Sequence, residues 1–441
     1  MRDHRSLSFS ALAALGLLVA ACDGAESATS GTTTTASTGG SGGTGGTAGS
    51  GGEGGGGGEG GGFVCAAPFV SKGPWALAVN ETHALVRWEA CDAGADPDVV
   101  VTKEGGGAEQ TVTATVSPIT LTETFIAPLN KAAPPDAAGT YYTHEATVDG
   151  LDPDTCYTYS LVADPGRKGR FCTARPAGAD LKFMAIGDTN PGLGHTAGVL
   201  ANALPEGPDF TIHGGDIQYY DSGLETWASW FPVMQPMLSQ GAFFPAIGNH
   251  ESEKSDELSE YALRFFGGAG FDGGETYYRF QNAGVHFFSL NTEETIGQGS
   301  AQATWLEAGL IDAATQPGFR FSVVFFHRPL LTCGDSGDDP AAYTFLEPIF
   351  VANKVELVLQ AHMHGYERFE PPSGVTYITT AGGGGLMGDV DENLSRPYCD
   401  QRVSAAPAFH ATIFEVGAAT LTGTAIDEAG VVVDTFVKDV P

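Results

Sequence analysis

The sequence predicts two folded domains, an all-β sandwich followed by an α/β sandwich. The 441 residues exceed the length of one small domain, and 42% of them are hydrophobic, which is enough for two cores. From Phe63 to about Arg175, short alternating apolar runs are separated by Gly, Pro and Asp, as in a β-sandwich. After Pro176, strand-like apolar runs alternate with helical stretches, which is typical of an α/β sandwich.

The start of the chain differs in composition from the rest. Residues 1–21 combine a basic start with an apolar run from Leu7 to Ala21, which is the pattern of a secretory signal peptide and is too short to span a membrane. Residues 22–62 are nearly all Gly, Ser, Thr and Ala, and such a tract cannot bury a core. We therefore expect an exported protein whose folded part follows a flexible tether.

The end of the signal peptide indicates how this tether is held. The run Val19-Ala-Ala-Cys22 resembles a bacterial lipobox, in which the cysteine is lipidated and becomes the mature N-terminus. We expect Cys22 to carry the lipid, and the protein to be a cell-envelope lipoprotein on the periplasmic or outer-surface side. A soluble signal peptide that is cleaved nearby is the alternative.

The net charge restricts the partners. The chain carries 21 Lys and Arg against 53 Asp and Glu, a formal net charge of −32 at pH 7. A nucleic-acid binder needs a basic face, so we expect no nucleic acid as a structural partner and membrane contact only through the lipid. An anionic substrate would need local positive charge, and bound metal ions are the natural source of it.

The cysteines indicate disulfides. Of the seven cysteines, Cys22 is set aside for the lipid, which leaves an even number in an oxidising compartment. Six cysteines allow 15 connectivities. Proximity in sequence favours the pairs Cys65–Cys91, Cys156–Cys172 and Cys333–Cys399.

The predicted β-sandwich occupies residues 63–176. Its run Leu151-Asp-Pro-Asp-Thr-Cys-Tyr157 resembles the tyrosine corner of a fibronectin type III-like domain. No cluster of catalytic side chains occurs in this part of the sequence, so we assign it a scaffold role. The predicted strands are Ala84–Trp88, Asp98–Thr102, Gln110–Val116 and Tyr157–Val162.

The predicted α/β domain occupies residues 180–441. Helices are expected from His195 to Leu204, from Trp227 to Leu238 with an interruption or an end near Pro232 and Pro236, and around Trp305. Buried strands are expected at Leu181–Ile186, Asp209–His213, Phe243–Ile247, Gly284–Leu290, Arg320–Phe326 and Val355–Gln360, followed by β-rich sequence at Gly374–Thr380, Ala411–Val416 and Val431–Val437.

Metal-capable side chains follow five of these apolar strands. Taken singly, each has a structural alternative as a helix cap, a turn residue or a strand-end histidine. Together they indicate a metal site, because independent accidents would not all fall at the C-terminal ends of successive strands. Mixed carboxylate, imidazole, amide and phenol ligands suit two hard or borderline transition metals, and the lack of cysteine disfavours a structural zinc site. The side chains are Asp188, Asp216 with Tyr219, Asn249 with His250, His327, and His362 with His364.

From residue 181 onward the chain resembles a calcineurin-like metallophosphoesterase and, more narrowly, a purple acid phosphatase. The blocks that carry the resemblance occur in the family's order, and they imply a four-layer α/β sandwich. A β-sandwich ahead of them also matches the plan of the larger purple acid phosphatases. The blocks are Gly187-Asp188, Gly215-Asp-Ile-Gln-Tyr219, Gly248-Asn-His-Glu251, Val323-Val-Phe-Phe-His327 and Ala361-His-Met-His-Gly-Tyr-Glu-Arg368.

The resemblance implies a binuclear centre with Asp216 between the two metals. Asp188, Tyr219 and His364 would complete an iron(III) site, and a second site for zinc(II), iron(II) or manganese(II) would be completed by Asn249, His327 and His362. His250 would lie beside the metal ligands, near the leaving group or the substrate oxygens, as a catalytic residue together with Asp216. A hydroxide between the metals would attack phosphorus in line, so that no nucleophilic side chain is needed.

Three departures from the family pattern affect the substrate side. Asn190 stands where the superfamily often has a histidine and purple acid phosphatases a glycine, and it would bind phosphate, bind metal weakly or cap a turn. Ala361 stands where the family usually has a glycine before the two histidines. The segment from Arg328 to Tyr343 has Cys333, Asp335, Asp338 and Asp339 but lacks the histidines that help to protonate the leaving group in plant members. The run Gly382–Gly385 would admit phosphate close to the backbone or form a plain turn.

These observations lead to three functional hypotheses. The first is a metal-dependent phosphomonoesterase of acid phosphatase type that acts on a small-molecule phosphate ester. The second is a phosphodiesterase or nucleotidase of the same fold, which the missing pocket histidines favour. The third is a surface binding protein with a vestigial metal site.

Overall fold

The computed structural model describes residues 65–107, 109–121, 139–219, 225–252 and 262–441. The predicted signal peptide, Cys22 and the tether lie outside these ranges, and their export and lipidation stay predictions. In the part of the chain that the structure describes, no helix has the length and apolar character to cross a membrane. The described residues belong to one compact unit.

The strands, numbered in chain order, are β1 Val70–Leu77, β2 His83–Ala90, β3 Asp98–Lys103, β4 Glu109–Thr113, β5 Thr115–Leu121, β6 Gly139–Asp149, β7 Cys156–Leu161, β8 Lys168–Cys172, β9 Leu181–Ile186, β10 Phe210–His213, β11 Ala242–Pro245, β12 Phe271–Gly273, β13 Tyr278–Asn282, β14 Val285–Ser289, β15 Phe321–Phe325, β16 Val355–Gln360, β17 Tyr366–Phe369, β18 Thr376–Thr380, β19 Arg402–Ala406, β20 His410–Val416, β21 Thr420–Asp427 and β22 Val432–Asp439. The helices are α1 His195–Ala203, α2 Glu225–Leu238, α3 Leu263–Phe266, α4 Ala301–Thr315 and α5 Pro340–Ala352. Short 3-10 turns lie at Pro191–Leu193, Leu204–Glu206, Asn249–Glu251 and Cys399–Gln401.

Three sheets organise the described residues. A 10-stranded sheet has the order β22-β21-β20-β9-β10-β11-β1-β2-β6-β5. An 8-stranded sheet has the order β12-β13-β14-β15-β16-β18-β17-β19, and a 4-stranded sheet has the order β4-β3-β7-β8. The strands β9, β10 and β11 are mutually parallel, and so are β14, β15, β16 and β18. These strands are apolar on both faces because parallel strands are covered on both sides.

The two large sheets face each other across an aromatic core. Phe183 on β9 and Phe210 on β10 meet Phe287 on β14 edge to face, with ring centroids 5.3 and 5.4 Å apart. All three rings are buried, and each contributes roughly 1.5–3 kcal/mol of hydrophobic stabilisation. Alternate residues of the 8-stranded sheet face the other way, so that Phe288 and Val324 pack in a second core with α4 and α5.

Helices cover the outer face of each large sheet. The contacts of α1 and α2 are with the 10-stranded sheet, and those of α4 and α5 are with β15 and β16 of the 8-stranded sheet. The predicted α/β fold is confirmed, with two facing sheets between two layers of helices. The carboxyl ends of β9, β10, β11, β15 and β16 are therefore brought to one edge, where open α/β sheets place their ligands.

The N-terminal strands join the same sheet. The parallel pair of β1 and β11 aligns Ala76 with Ala242, so that the 10-stranded sheet continues into β2, β6 and β5. Trp75 on β1 is fully buried, packs against Phe231 of α2 and donates its indole N–H to the carbonyl of Phe265 at 3.0 Å. This continuity was not predicted, because strand pairing over such a sequence distance leaves no local signal.

The predicted tyrosine corner has a direct counterpart in the structure. The hydroxyl of Tyr157 accepts a hydrogen bond from the backbone N–H of Asp152 at 2.9 Å. The 4-stranded sheet that contains Tyr157 shares a core with β1 and β2. The assignment of residues 63–176 as a fibronectin type III-like domain, separate from residues 180–441, stays a prediction.

Two local predictions are wrong in part. The predicted helix Trp227–Leu238 is confirmed to its end at Leu238, but the interruption is not found. The helix α2 runs without interruption from Glu225 to Leu238, with Pro232 and Pro236 inside it. Both prolines lie on its exposed side, and burial of the aromatic face offsets the roughly 3 kcal/mol that a proline costs inside a helix. The predicted strand Gln110–Val116 is divided between β4 and β5, which lie in different sheets. The helix α5 was not predicted.

The three predicted disulfides are confirmed. The structure pairs Cys65 with Cys91, Cys156 with Cys172 and Cys333 with Cys399. The last pair joins the segment that follows β15 to the turn that precedes β19, and so it constrains the loop beside His327.

Candidate metal centre

The seven predicted ligands lie together at the shared edge of the two large sheets. The first of their two clusters contains Asp188, Tyr219 and His364. The Tyr219 hydroxyl donates to Asp188 Oδ1 at 2.8 Å and lies 2.6 Å from His364 Nε2. His364 Nε2 is itself 3.1 Å from Asp188 Oδ1. Three donor atoms from the loops after β9, β10 and β16 therefore converge on one point.

The second cluster contains Asn249, His327 and His362. His327 Nε2 lies 3.1 Å from Asn249 Oδ1 and 3.1 Å from His362 Nδ1. It also lies 3.2 Å from Asp216 Oδ2.

Asp216 is common to both clusters. Its carboxylate lies within 4.8 Å of the donor atoms of His327 and His362, and equally within 4.8 Å of those of Asp188 and His364. The carboxylate is 1% exposed, so the groups around it decide its chemistry.

Comparison with known proteins agrees with this geometry. Residues 181–366 match the calcineurin-like phosphoesterase family. The matched range contains all seven candidate ligands. These residues form a calcineurin-like metallophosphoesterase domain.

Relatives in sequence include plant purple acid phosphatases. The chain is 26% identical over 266 residues to purple acid phosphatase 22 of Arabidopsis thaliana, covering 56% of this chain and 59% of the relative. It is 28% identical over 278 residues to purple acid phosphatase 18 of the same plant, covering 58% and 60%. The chain thus spans about three fifths of the length of these relatives.

Solved structures agree on the fold. The purple acid phosphatase PPD1 from yellow lupin (Lupinus luteus) seeds superposes with a TM-score of 0.67 at 18% identity, covering 83% of this chain and 74% of that one. A structure of PhoD superposes with a TM-score of 0.59 at 11% identity, covering 86% and 90%. The similarity to PPD1 extends beyond the metallophosphoesterase domain, because that domain is less than half of this chain.

The donor set of the metallophosphoesterase domain is arranged for metal binding. His327 Nδ1 lies 3.0 Å from the carbonyl of Gly214, and His364 Nδ1 contacts the carbonyl of Leu386. Each carbonyl accepts the proton of Nδ1, which leaves Nε2 of that ring free to bind a metal. Oxygen donors from carboxylate, phenol and amide groups with imidazole nitrogens suit iron, zinc and manganese. The residues therefore fit the two metal ions that the family implies.

The loops that carry these ligands have unusual backbone conformations. Asp188, Asp216 and His362 have φ values of 59°, 49° and 68°, in the left-handed region. Hydrogen bonds from the next turns hold them there, since His362 N–H donates to Asp188 Oδ2 at 3.1 Å and His250 N–H donates to Asp216 Oδ1 at 2.9 Å. Such conformations persist where the surroundings impose them, as they do at functional sites.

The electrostatics of the site favour a cation at its centre. Burial and the carboxylates of Asp188 and Asp216 raise the pKa of Tyr219. Burial favours the neutral form of Asp216, but the charge of His327 outweighs it and lowers the pKa of Asp216. Burial likewise opposes charging of His327 and His364, yet the neighbouring carboxylates raise the pKa of each to about 9. The carboxylates therefore favour positive charge at this point, which the protonated rings of His327 and His364 provide when no metal is bound.

Glu251 organises the metal-binding loops and was missed as a functional residue in the sequence. Its side chain is fully buried and accepts the backbone N–H groups of Asp216 at 3.0 Å, Ile217 at 2.8 Å and Gly248 at 2.8 Å. Burial, followed by the charge of Asp216, raises its pKa, while the hydrogen bonds from the N–H groups of Gly248 and Ile217 oppose that rise. The feature of the sequence that could have indicated this role is a glutamate at the third position of a short helical turn. At that position a glutamate side chain can cap the backbone that precedes the turn.

His213 has a similar supporting role. The fully buried ring accepts the N–H of Gly215 at Nδ1, at 3.2 Å, and lies 3.0 Å from the Thr189 hydroxyl through Nε2. Burial lowers its pKa to about 3, so the ring is neutral. It ties the loop after β9 to the loop after β10, which holds Asp188 and Asp216 in register.

The structure places His250 and Asn190, the two residues predicted on the substrate side, but it does not test their contacts with substrate. His250 is half-buried beside Tyr219, with ring centroids 4.2 Å apart, and its Nε2 lies 3.8 Å from Asp216 Oδ2. Asn190 is 4% exposed and accepts the N–H of Gly192 at 3.2 Å, which is the capping alternative weighed in the sequence. Substrate contacts of either residue stay predictions.

Small residues let the strand ends approach closely. The methyl group of Ala361 lies against Gly187 and Gly214, where an added Cβ would be 2.9 Å from it. Gly383 N–H and Gly385 N–H donate to the carbonyls of Gly187 and Asp188, each at 2.9 Å. These two N–H groups of the Gly382–Gly385 run are therefore used by the protein's own carbonyls, and an approach of phosphate to this run stays a prediction.

The acidic segment after His327 has structural partners. Asp339 caps α5 by accepting the N–H of Ala342 at 2.9 Å, and Asp335 accepts the N–H of Asp389 at 2.9 Å. Asp338 lies 3.7 Å from Arg396, and Cys333 is in a disulfide. These side chains shape the rim of the site and give no replacement for the missing histidines.

Proposed function

We propose that this protein is a metal-dependent hydrolase of phosphomonoesters, exported and held at the cell envelope by a lipid on Cys22. The observation that carries the enzymatic part is the position of Asp216, which is shared by two clusters of metal-capable side chains. A family match over residues 181–366 and relatives among purple acid phosphatases support the same reaction class.

In this proposal two metal ions would share Asp216, and one would be held by Asp188, Tyr219 and His364 and the other by Asn249, His327 and His362. When bound, two such metals would supply an activated water and would neutralise the phosphoryl oxygens for in-line attack on phosphorus. The metals would be iron(III) at the Tyr219 cluster and zinc(II), iron(II) or manganese(II) at the other. The phenol oxygen of Tyr219 is the donor that selects iron(III), a hard cation.

The protein's own residues position the reacting groups. The carbonyls of Gly214 and Leu386 keep His327 and His364 in one tautomer, and Glu251 fixes the backbone on either side of Asp216. His250 is half-buried at the side of Asp216, which leaves its imidazole positioned to give a proton to the oxygen of the leaving group.

The test uses purified protein with its metals measured by elemental analysis. We expect two metals per chain and hydrolysis of 4-nitrophenyl phosphate that is lost after chelation and restored by added metal. A protein that holds two metals and hydrolyses none of a panel of phosphate monoesters would refute the proposal and favour the surface binding protein.

A phosphodiesterase or nucleotidase is the second candidate. The observation in its favour is the segment from Arg328 to Tyr343, which lacks the histidines that the resemblance to purple acid phosphatases implies and whose Cys333 and Asp339 have disulfide and capping roles. Comparison of bis(4-nitrophenyl) phosphate with 4-nitrophenyl phosphate decides between the two. A higher kcat/KM for the diester would replace the monoesterase proposal.

A further inference from the structure

The Arg328 side chain borders the metal centre without being a ligand. It directly follows His327, and its Nη1 lies 3.2 Å from His362 Nε2. Its side chain is 43% exposed, so the guanidinium is accessible to a ligand in solution. The chain has a net charge of −32, so positive side chains are scarce. An exposed arginine beside the candidate metal centre therefore indicates a role in binding an anion.

Glu293 holds this guanidinium in one orientation. Arg328 Nε donates to Glu293 Oε1 at 2.6 Å and Nη2 donates to Oε2 at 3.0 Å, a two-point contact that fixes the plane of the group. The backbone N–H of Arg328 also donates to the Thr292 hydroxyl at 2.8 Å. Because Glu293 uses Nε and Nη2, the hydrogen atoms of Nη1 remain for another acceptor.

His362 cannot be that acceptor once it binds a metal. Its Nδ1 is the atom that approaches His327 Nε2, at 3.1 Å, on the side where the ligand atoms converge. An imidazole that binds metal through Nδ1 carries its proton on Nε2, which then faces Arg328 Nη1 as a second donor. Two donors repel, so Nη1 requires an oxygen from elsewhere.

Arg328 also forms part of the wall of a cavity next to the site. The cavity has a volume of about 610 Å³ and extends from Arg328 between the loop at Thr292 and the start of α5, with Leu330 and Phe345 in its wall. If a phosphate ester bound at the metal centre with its phosphoryl oxygens beside the guanidinium, this cavity would be the space next to it for its organic part.

We propose that Arg328, oriented by Glu293, binds a non-bridging oxygen of the phosphoryl group through Nη1. The proposal rests on the proposed function for its substrate class. Arg328 thereby adds a contact to the phosphate that the metals do not supply, and Glu293 is a positioning residue. A guanidinium suits this task because it is planar, permanently charged and able to serve carboxylate and phosphate together.

The experiment measures binding of inorganic phosphate to the metal-loaded protein by calorimetry at pH 7, which does not depend on turnover. We expect Arg328→Gln to weaken phosphate binding about 10- to 100-fold, the effect of one hydrogen bond to a charged group. Arg328→Lys is expected to lose less, because lysine keeps the charge but cannot contact Glu293 and phosphate as a planar fork. Glu293→Gln should weaken phosphate binding by a smaller factor than Arg328→Gln.

Arg170→Gln is the matched control. Arg170 forms the same kind of contact with Glu104, is 41% exposed and lies on β8, and we expect its replacement to leave phosphate binding unchanged. Metal content is measured for every variant. If Arg328→Gln loses metal, Arg328→Lys decides: a full metal complement with several-fold weaker phosphate binding supports the proposal.

Unchanged phosphate affinity in a metal-replete Arg328→Gln or Arg328→Lys protein would overturn the inference. Failure of the proposed function gives a different result. A parent protein that binds phosphate but hydrolyses no ester would refute the function, and the phosphate affinities of the Arg328 variants would still decide the role of Arg328. A two-metal parent protein that binds no phosphate would overturn the inference directly.

Discussion

The Tyr219 hydroxyl lies 2.6 Å from His364 Nε2 and 2.8 Å from Asp188 Oδ1, although the three residues come from loops after three different strands. Burial and two carboxylates raise the pKa of this phenol above its ordinary value of 10. A bound metal reverses that effect, because a cation at the same point stabilises the phenolate. Tyr219 is therefore the residue through which the identity of one metal can be observed.

We expect the iron-loaded protein to be coloured by charge transfer from the Tyr219 phenolate to iron(III). Tyr219→Phe should abolish the visible band, because phenylalanine offers no oxygen, while far-UV circular dichroism stays unchanged. Tyr277→Phe is the control, since Tyr277 packs against Trp305 away from the ligands. A visible band that survives in Tyr219→Phe would show that Tyr219 is not a ligand.

Glu251 is expected to act on the metals only through the backbone. Glu251→Gln replaces one acceptor oxygen by a donor and leaves one of the three N–H groups unpaired. We expect metal affinity to fall about 10- to 100-fold, as for other residues that support metal ligands, and the free energy of unfolding to fall by about 1–3 kcal/mol. Metal titration and urea unfolding measure the two effects.

The exposed Glu206 provides the comparison for this variant. Glu206→Gln should change the free energy of unfolding by less than about 0.5 kcal/mol, as surface substitutions usually do. Equal effects of the two variants on metal affinity would contradict the role assigned to Glu251.

His410 is expected to make the fold acid-sensitive. Burial lowers its pKa to about 4 from an ordinary value of 6.5. The unfolded chain therefore binds more protons than the native protein between pH 6.5 and 4, so the contribution of His410 is present above pH 6.5 and is lost as the pH falls towards 4. Through His410 alone, the free energy of unfolding should be about 2 kcal/mol lower at pH 5 than at pH 7.

Urea unfolding at pH 7, 6 and 5 measures this dependence. His410→Gln removes the titrating group and keeps a side-chain donor for the Ala408 carbonyl, which His410 Nδ1 contacts at 2.9 Å. We expect the difference in unfolding free energy between pH 7 and pH 5 to shrink by about the same 2 kcal/mol. A parent and a variant with the same pH dependence would refute the assignment. A fold that weakens in acid also limits how acidic the working pH of a phosphatase can be.

The site was more predictable than the architecture around it. Asp188, Asp216 and His327 could be located because each polar residue ends an apolar run, and the ends of neighbouring parallel strands meet at one edge. The pairing of β1 with β11 could not be located, because it depends on the contact of Ala76 with Ala242 across a long stretch of sequence.

Other features were hidden because they depend on the backbone. Glu251 contacts three N–H groups, and the sequence does not show where main-chain donors point. The prolines of α2 signalled a break, but burial of Trp227, Trp230 and Phe231 on the other side of that helix outweighed them. Local patterns thus predict which residues end a strand, while packing decides what those ends contact.

The account depends most on Asp216 as the carboxylate that two metals share. The direct measurement is metal content together with hydrolysis of 4-nitrophenyl phosphate in Asp216→Asn, with Asp149→Asn as a control because Asp149 has a side chain that is 72% exposed. We predict that Asp216→Asn loses at least one of two metals and that its kcat/KM falls by more than about 100-fold, beyond the effect of a supporting residue, while the control keeps both properties. An Asp216→Asn protein with two metals and unchanged activity would contradict the account.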